Sequence, residues 1–220
     1  DQINPMRLSA LQDTAAQLGA TGALAWKSVQ IDNSLNKEQQ YLNHIFDFNQ
    51  LLLQHNVLPP VLVEADDTLN MADNDSIRLA SKTYKIQAPA QFVTAPPTWQ
   101  NYLWMSYPKP SMPDHTLLPT TQAEANVWNA SLKQGWEQGI QQANQIFSVN
   151  LSRLKRDFNG MILYRKLLAQ NMVSAPYVAK SDLGVTGNGN EIRVNDQVLR
   201  ITAHSQLQTN SQKWSPVLTQ

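Results

Sequence analysis

The sequence predicts a helix-rich α+β protein, with one very long or tandem helix and small antiparallel β elements. Three observations carry this expectation. From Thr120 to Met172 apolar residues recur at gaps of three or four, the period of an α-helix. Between Val61 and Ile86 the period falls to two, that of a strand. Gly187-Asn-Gly-Asn then stands between two further alternating runs, as a hairpin turn would.

The chain opens with a helix start, Asn4 as cap and Pro5 at the first helical position. Leu8, Leu11, Ala15, Leu18, Gly22 and Ala25 keep one face, and the helix is expected to reach about Ile31. Asp32, Asn33 and Ser34 then offer a turn or a new cap. A second stripe runs through Leu35, Leu42, Ile45, Phe46, Asn49, Leu52 and Leu53 and stops before Pro59 and Pro60. The strand region follows as Val61/Val63, Leu69/Met71, Ile77/Leu79 and Tyr84/Ile86. Polar clusters at Asp66 to Thr68 and Asp73 to Ser76 divide it, and a small meander fits it best.

A proline-rich passage from Pro89 to Pro119 contains the aromatic run Trp99, Tyr102, Trp104 and Tyr107, with Thr98 able to cap a short helix. These rings either complete the core or anchor a partner, since Trp and Tyr give large contact area at low entropy cost. The long helix begins at a capping box, Thr121 with Glu124, and carries Trp128, Leu132, Trp136, Ile140, Ala143, Phe147 and Leu154. Unbroken, it would measure roughly 75 Å at 1.5 Å per residue, longer than a compact domain of this size is wide. Gly135 and Gly139 mark either a kink or the close approach of another backbone. Beyond Pro176, strands are expected over Tyr177 to Val185, Glu191 to Val194 and Gln197 to Ala203, with a loose tail over 205–220. One domain, 1–220, accommodates all of these parts.

Composition narrows the functional classes. Seventeen basic residues balance 17 acidic ones, and only 15% of the chain is charged, against about 25% in an average soluble protein. Such a surface lacks the basic field that drives nucleic-acid binding, so no nucleic-acid partner is expected. The absence of cysteine excludes disulfides, thiol catalysis and thiolate zinc sites. No apolar run approaches the ~20 residues of a membrane span, and the chain opens without a signal-peptide pattern. If the protein is exported, a start at Asp1 therefore fits a mature or trimmed form.

No catalytic, cofactor or metal set emerges. His44 and His55 would share a helical face but lie too far apart to hold one metal. Asp66, Asp67, Asp73 and Asp75 fail the EF-hand spacing, with Arg78 where glycine is required. Glu124 and Glu137 are the only acids near aromatic residues that a glycan hydrolase could use. The basic cluster Arg153, Lys155 and Arg156 is either a solvated face or a contact for an acidic partner.

The stretches HNVLPPVLVEADDTLN, FVTAPPTWQNYLW and GWEQGIQQANQIFSVNLSRLKRDFNGMILYRKLLAQNMVSAPYVA strongly resemble the DotC family of lipoproteins of the Dot/Icm type IVB secretion system, and its relatives in conjugative plasmid transfer. The similarity runs from about Met6 to His204. It implies a non-enzymatic subunit on the periplasmic face of the outer membrane, joined to DotD and DotH and helping DotH reach that membrane. It also implies a lipid on an N-terminal cysteine, a residue this chain lacks. A periplasmic cell-wall hydrolase and a small-ligand binding module are the alternative classes.

Overall fold

The computed structural model describes residues 2–215; Asp1 and the end of the expected tail, residues 216–220, lie outside the described residues. The fold is α+β, as the two periodicities predict. Its elements are α1 (Pro5–Lys37), α2 (Gln39–Ile45), β1 (Val57–Leu58), β2 (Val61–Asp73), β3 (Ser76–Ala88), β4 (Gln91–Phe92), α3 (Trp99–Leu103), α4 (Gln122–Ala169), β5 (Tyr177–Gly187) and β6 (Ile192–Ala203). The strands pair antiparallel as three separate two-stranded sheets, β1 with β4, β2 with β3 and β5 with β6. The chain packs as two compact units. Unit 1 takes the chain up to Phe46 together with Thr98–Leu154, and unit 2 takes Asp47–Pro97 together with the chain from Lys155 onward.

Unit 1 is organised by α1 and the first part of α4. The Asn4 side chain accepts the Met6 N–H at 2.9 Å, so α1 starts where the Asn-Pro pair places it. It does not end near Ile31. Asp32 turns its carboxylate to the Met105 N–H at 3.3 Å, and the Ser34 hydroxyl donates to the Gln30 carbonyl at 3.0 Å, so neither caps a new helix. The break falls at Glu38, and only the short α2 follows it. Residues 48–51 and 54–56 are single 3₁₀ turns, where the sequence suggested a continued helical stripe.

Close approach, not a kink, explains Gly135 and Gly139, because α4 is continuous through both. A Cβ on Gly135 would fall inside the carbonyl oxygen of Ala16 and 2.7 Å from its Cα. On Gly139 it would fall inside the carbonyl oxygen of Ala20 and 2.7 Å from the Cβ of Ala23. The contacts advance in step along both helices, so α1 and α4 run parallel with their backbones nearly touching. Leu11, Ala15 and Trp128 form the adjoining core, closed by Leu18, Leu118 and Leu132. The buried line of α4 therefore passes through Gly135, Gly139 and Ala143, and Trp136 is pushed aside, half exposed against Trp26 with ring centroids 5.7 Å apart.

In unit 2, β2 and β3 form one long hairpin where a meander of short strands was expected. The strands run straight through the polar cluster at Asp66–Thr68, since Asp66 pairs with Lys82 and Thr68 with Ala80, while Asp67 alone takes a positive φ of 49°. The turn lies at 74–75, where the Asp75 N–H donates to the Asp73 carboxylate at 2.8 Å. The second hairpin turns at 188–191, as the Gly-Asn sequence predicts. Asn195, with φ 55°, lies within a single β6 and does not divide it into two strands.

Leu62, Tyr164, Leu167 and Val173 form the core of unit 2, with Tyr84, Ile86 and Leu207 packed on it. α4 ends in a Schellman motif. Asn171 takes a φ of 58°, its N–H donates to the Leu168 carbonyl at 3.0 Å, and the Met172 N–H donates to the Leu167 carbonyl at 2.9 Å. The segment after His204, expected as a loose tail, is tied back through residue 215. Val173 bridges Leu207, the Gln208 N–H donates to the Met172 carbonyl at 2.8 Å, and the Ser215 N–H donates to the Gln170 carbonyl at 2.7 Å. The buried Tyr164 hydroxyl donates to the Ser174 carbonyl at 3.0 Å and lies 3.0 Å from the Ser205 hydroxyl. Burial pushes the pKa of this phenol up, so the group stays neutral and can hold both bonds.

Candidate interaction surface

The aromatic run divides between core and surface. α3 begins at Thr98, whose N–H donates to the Asn101 side chain at 2.8 Å. This short helix turns Trp99 inward, where it is 1% exposed and its indole N–H donates to Asn43 Oδ1 at 2.7 Å. Trp104 is 54% exposed and meets Trp99 edge-on with centroids 6.4 Å apart, and Tyr107 is 37% exposed. Tyr102 is partly buried, and the Arg153 guanidinium lies over its ring, 5.4 Å from the centroid. Trp99 therefore serves the fold of unit 1, while Trp104 and Tyr107 remain available to a partner.

In the basic cluster, Arg153 lies over the Tyr102 ring, and Arg156, one helical turn further along α4, pairs with Asp157 at 2.9 Å. His44 and His55, expected on one helix, lie in α2 and in the 3₁₀ turn 54–56.

Glu124 is committed to structure. The Glu124 N–H donates to the Thr121 hydroxyl at 3.1 Å, the first half of the capping box. Its carboxylate reaches one residue further back than predicted, to the Thr120 N–H at 2.8 Å, and also pairs with Arg7 at 3.2 Å. Arg7 additionally donates to the carbonyls of Thr116 and Leu118. The bonds from Arg7 and then from the Thr120 N–H lower the Glu124 pKa from 4.5 to about 2. A general acid needs the opposite shift. Because folding lowers this pKa, the unfolded chain takes up the proton first. The contribution to stability is complete above about pH 4.5 and is lost as pH falls from there towards 2. Glu124→Gln should flatten the pH dependence of unfolding in that window and leave it unchanged at higher pH, as a denaturation series across pH 2–6 would read.

A cavity of about 330 Å³ opens in unit 2 among Leu53, His55, Val57, Pro176, Tyr177 and Val178. His55 and Asn56 beside it both take positive φ, 64° and 55°. Its walls are largely apolar, and no cluster of charged groups converges on it. Among the described residues no three His, Asp or Glu side chains come together in a metal-binding arrangement. No helix among them is long and apolar enough to cross a membrane.

The residues that sequence reasoning missed lie on the hairpins. Leu69 pairs across the ladder with Leu79, and Met71 with Ile77, which places all four on one face. They are 62%, 73%, 66% and 57% exposed, respectively. On the second hairpin Ile192 pairs with Gly187, and alternation brings Val185 and Val194 to the same face, all three valine and isoleucine side chains exposed. Each such side chain, fully covered, would contribute about 1.5–3 kcal/mol. A lone two-stranded hairpin is marginal in water, and these aliphatic pairs form contiguous exposed apolar patches on an open sheet. The alternation that makes these strands is visible in the sequence. That nothing among the described residues covers them is visible only in the fold.

The fold and these surfaces define an α+β protein with apolar faces that the described residues leave open and with no converging set of reactive groups among those residues. Residues 5–216 match the family described as "Type IV secretory system, conjugal DNA-protein transfer", and the chain belongs to that family. Among curated proteins none matches the sequence.

Proposed function

We propose that this chain is a non-enzymatic, DotC-like structural subunit of a type IVB secretion-system core complex. It acts at the periplasmic face of the outer membrane, held there by a lipid in the full-length form, and it assists the placement and assembly of DotH-type and DotD-type partners. Family membership supports the secretion and conjugal-transfer setting. The finer reading rests on the long strings quoted above and on one structural observation, the uncovered aliphatic pairs Leu69/Leu79 and Met71/Ile77. A subunit whose apolar surface is completed by neighbours presents such faces before assembly. The balanced charge of 17 against 17 fits a protein that serves a DNA-moving machine without gripping DNA itself.

The test is a pull-down of the full-length protein from detergent-solubilised envelopes, with its companions identified. Recovery of outer-membrane secretion subunits is the expected result. A protein that comes out alone, together with unchanged secretion after deletion of its gene, would return the question to the hydrolase and ligand-binding classes.

A further inference from the structure

We infer that the distal half of the β2–β3 hairpin docks an aliphatic, basic-flanked β segment of another subunit. This inference rests on the assembly reading above and adds a surface and the chemistry of its partner. The docking face is the square Leu69, Leu79, Met71 and Ile77, all more than half exposed.

Its rim is acidic. Along the ladder Asp73 and Asp75 lie beyond one end of the square and Asp66 and Asp67 beyond the other, while Arg78 stands on the opposite face and Lys82 is already held by Glu64 at 3.0 Å. Nearby carboxylates, Glu64 first, also raise the Lys82 pKa, which keeps that ammonium charged and engaged within the hairpin. The excess negative charge decides between occupants. A second copy stacked on the same face would bring a second set of these carboxylates against the first. An anionic lipid surface would be repelled in the same way. A strand carrying Val, Ile or Leu on one face and Lys or Arg at its ends meets both the apolar square and the acidic rim.

The test uses the full-length protein in envelopes, with a photo-crosslinking amino acid at position 79 or, as the opposite-face control, at position 78. The expected result is a crosslink from 79 to an extended, aliphatic segment of another secretion subunit flanked by Lys or Arg, and a much weaker one from 78. Leu69→Ser with Leu79→Ser should lower recovery of that subunit at least tenfold while leaving the unfolding midpoint of the protein nearly unchanged. Asp73→Asn with Asp75→Asn keeps a side-chain acceptor for the turn and should make recovery less sensitive to salt. Crosslinks from 79 only to another copy of this chain, only to lipid, or to an acidic segment would overturn the inference. So would wild-type recovery of secretion subunits with no crosslink from 79, which leaves the assembly reading standing. If the wild-type protein recovers no subunit at all, the assembly reading fails, and the crosslink from 79 still reports on the hairpin independently. Should the double serine variant unfold, the crosslink pattern on the otherwise native hairpin decides.

Discussion

Gly135→Ala should destabilise unit 1, and Gly22→Ala in the partner helix should not. A methyl group on Gly135 would enter the carbonyl oxygen of Ala16 and stand 2.7 Å from its Cα. These are backbone atoms of a rigid helix, so α1 and α4 must separate to admit it. Overpacking of this kind costs about 1–3 kcal/mol, and the backbone contact puts this site at the upper end. The gain from replacing glycine within a helix, about 1 kcal/mol, does not offset it. At Gly22 the added methyl would meet only Pro110 and the Trp136 ring, each at 3.7 Å, an ordinary contact distance. There the propensity gain remains, and stability should rise by up to about 1 kcal/mol. Urea unfolding followed by tryptophan fluorescence reads both, since five of the six tryptophans belong to unit 1. A Gly135→Ala midpoint at or above that of the wild type would sink the close-approach account of this helix pair.

Trp99→Ala should cost unit 1 about 3–5 kcal/mol, the range for emptying a buried tryptophan site. The ring is fully enclosed, and its removal also strands Asn43 Oδ1, which accepts the indole N–H at 2.7 Å. Trp104→Ala removes an exposed ring whose main partner is Trp99, edge-on, and should cost less than about 1.5 kcal/mol. The pair separates two meanings of the aromatic loop. If Trp104→Ala lowers partner recovery at unchanged stability, the loop contributes to assembly directly. Equal destabilisation by both changes would instead make the whole loop a piece of core.

Period, caps and turn residues made the elements legible. Asn4-Pro5, Thr98 and the Gly187 turn lie where their chemistry requires, and the α4 stripe is a true helix. Failures came where a side chain had two possible partners. Asp32 and Ser34 look like helix breakers, yet tertiary and local bonds absorb them without interrupting α1. Asp66 to Thr68 looks like a turn, yet a single residue at positive φ lets the ladder continue. The apolar stripe of α4 includes Ala143 but passes over Gly135 and Gly139, whereas helix contact at backbone distance selects those small residues. Of the candidate surface, the sequence could name the aromatic residues but not which faced inward. The hairpin faces were invisible for a different reason, because an alternating strand shows that one side is apolar and not whether the chain covers it.

The order of segments along the polypeptide carries a consequence of its own. Unit 1 is interrupted by Asp47–Pro97, and unit 2 is interrupted by Thr98–Leu154, so neither is a contiguous stretch of sequence. During synthesis the first unit lacks its second helix until the stretch up to Leu154 has emerged. The second waits longer still, because Leu207 and Gln208 must return to Val173 and Met172. Both closures span long loops, whose entropy must be overcome before the contacts form. The two units therefore mature in turn and both late, and a premature stop before residue 205 leaves the end of α4 without its closing segment even though α1 to α4 have all been made.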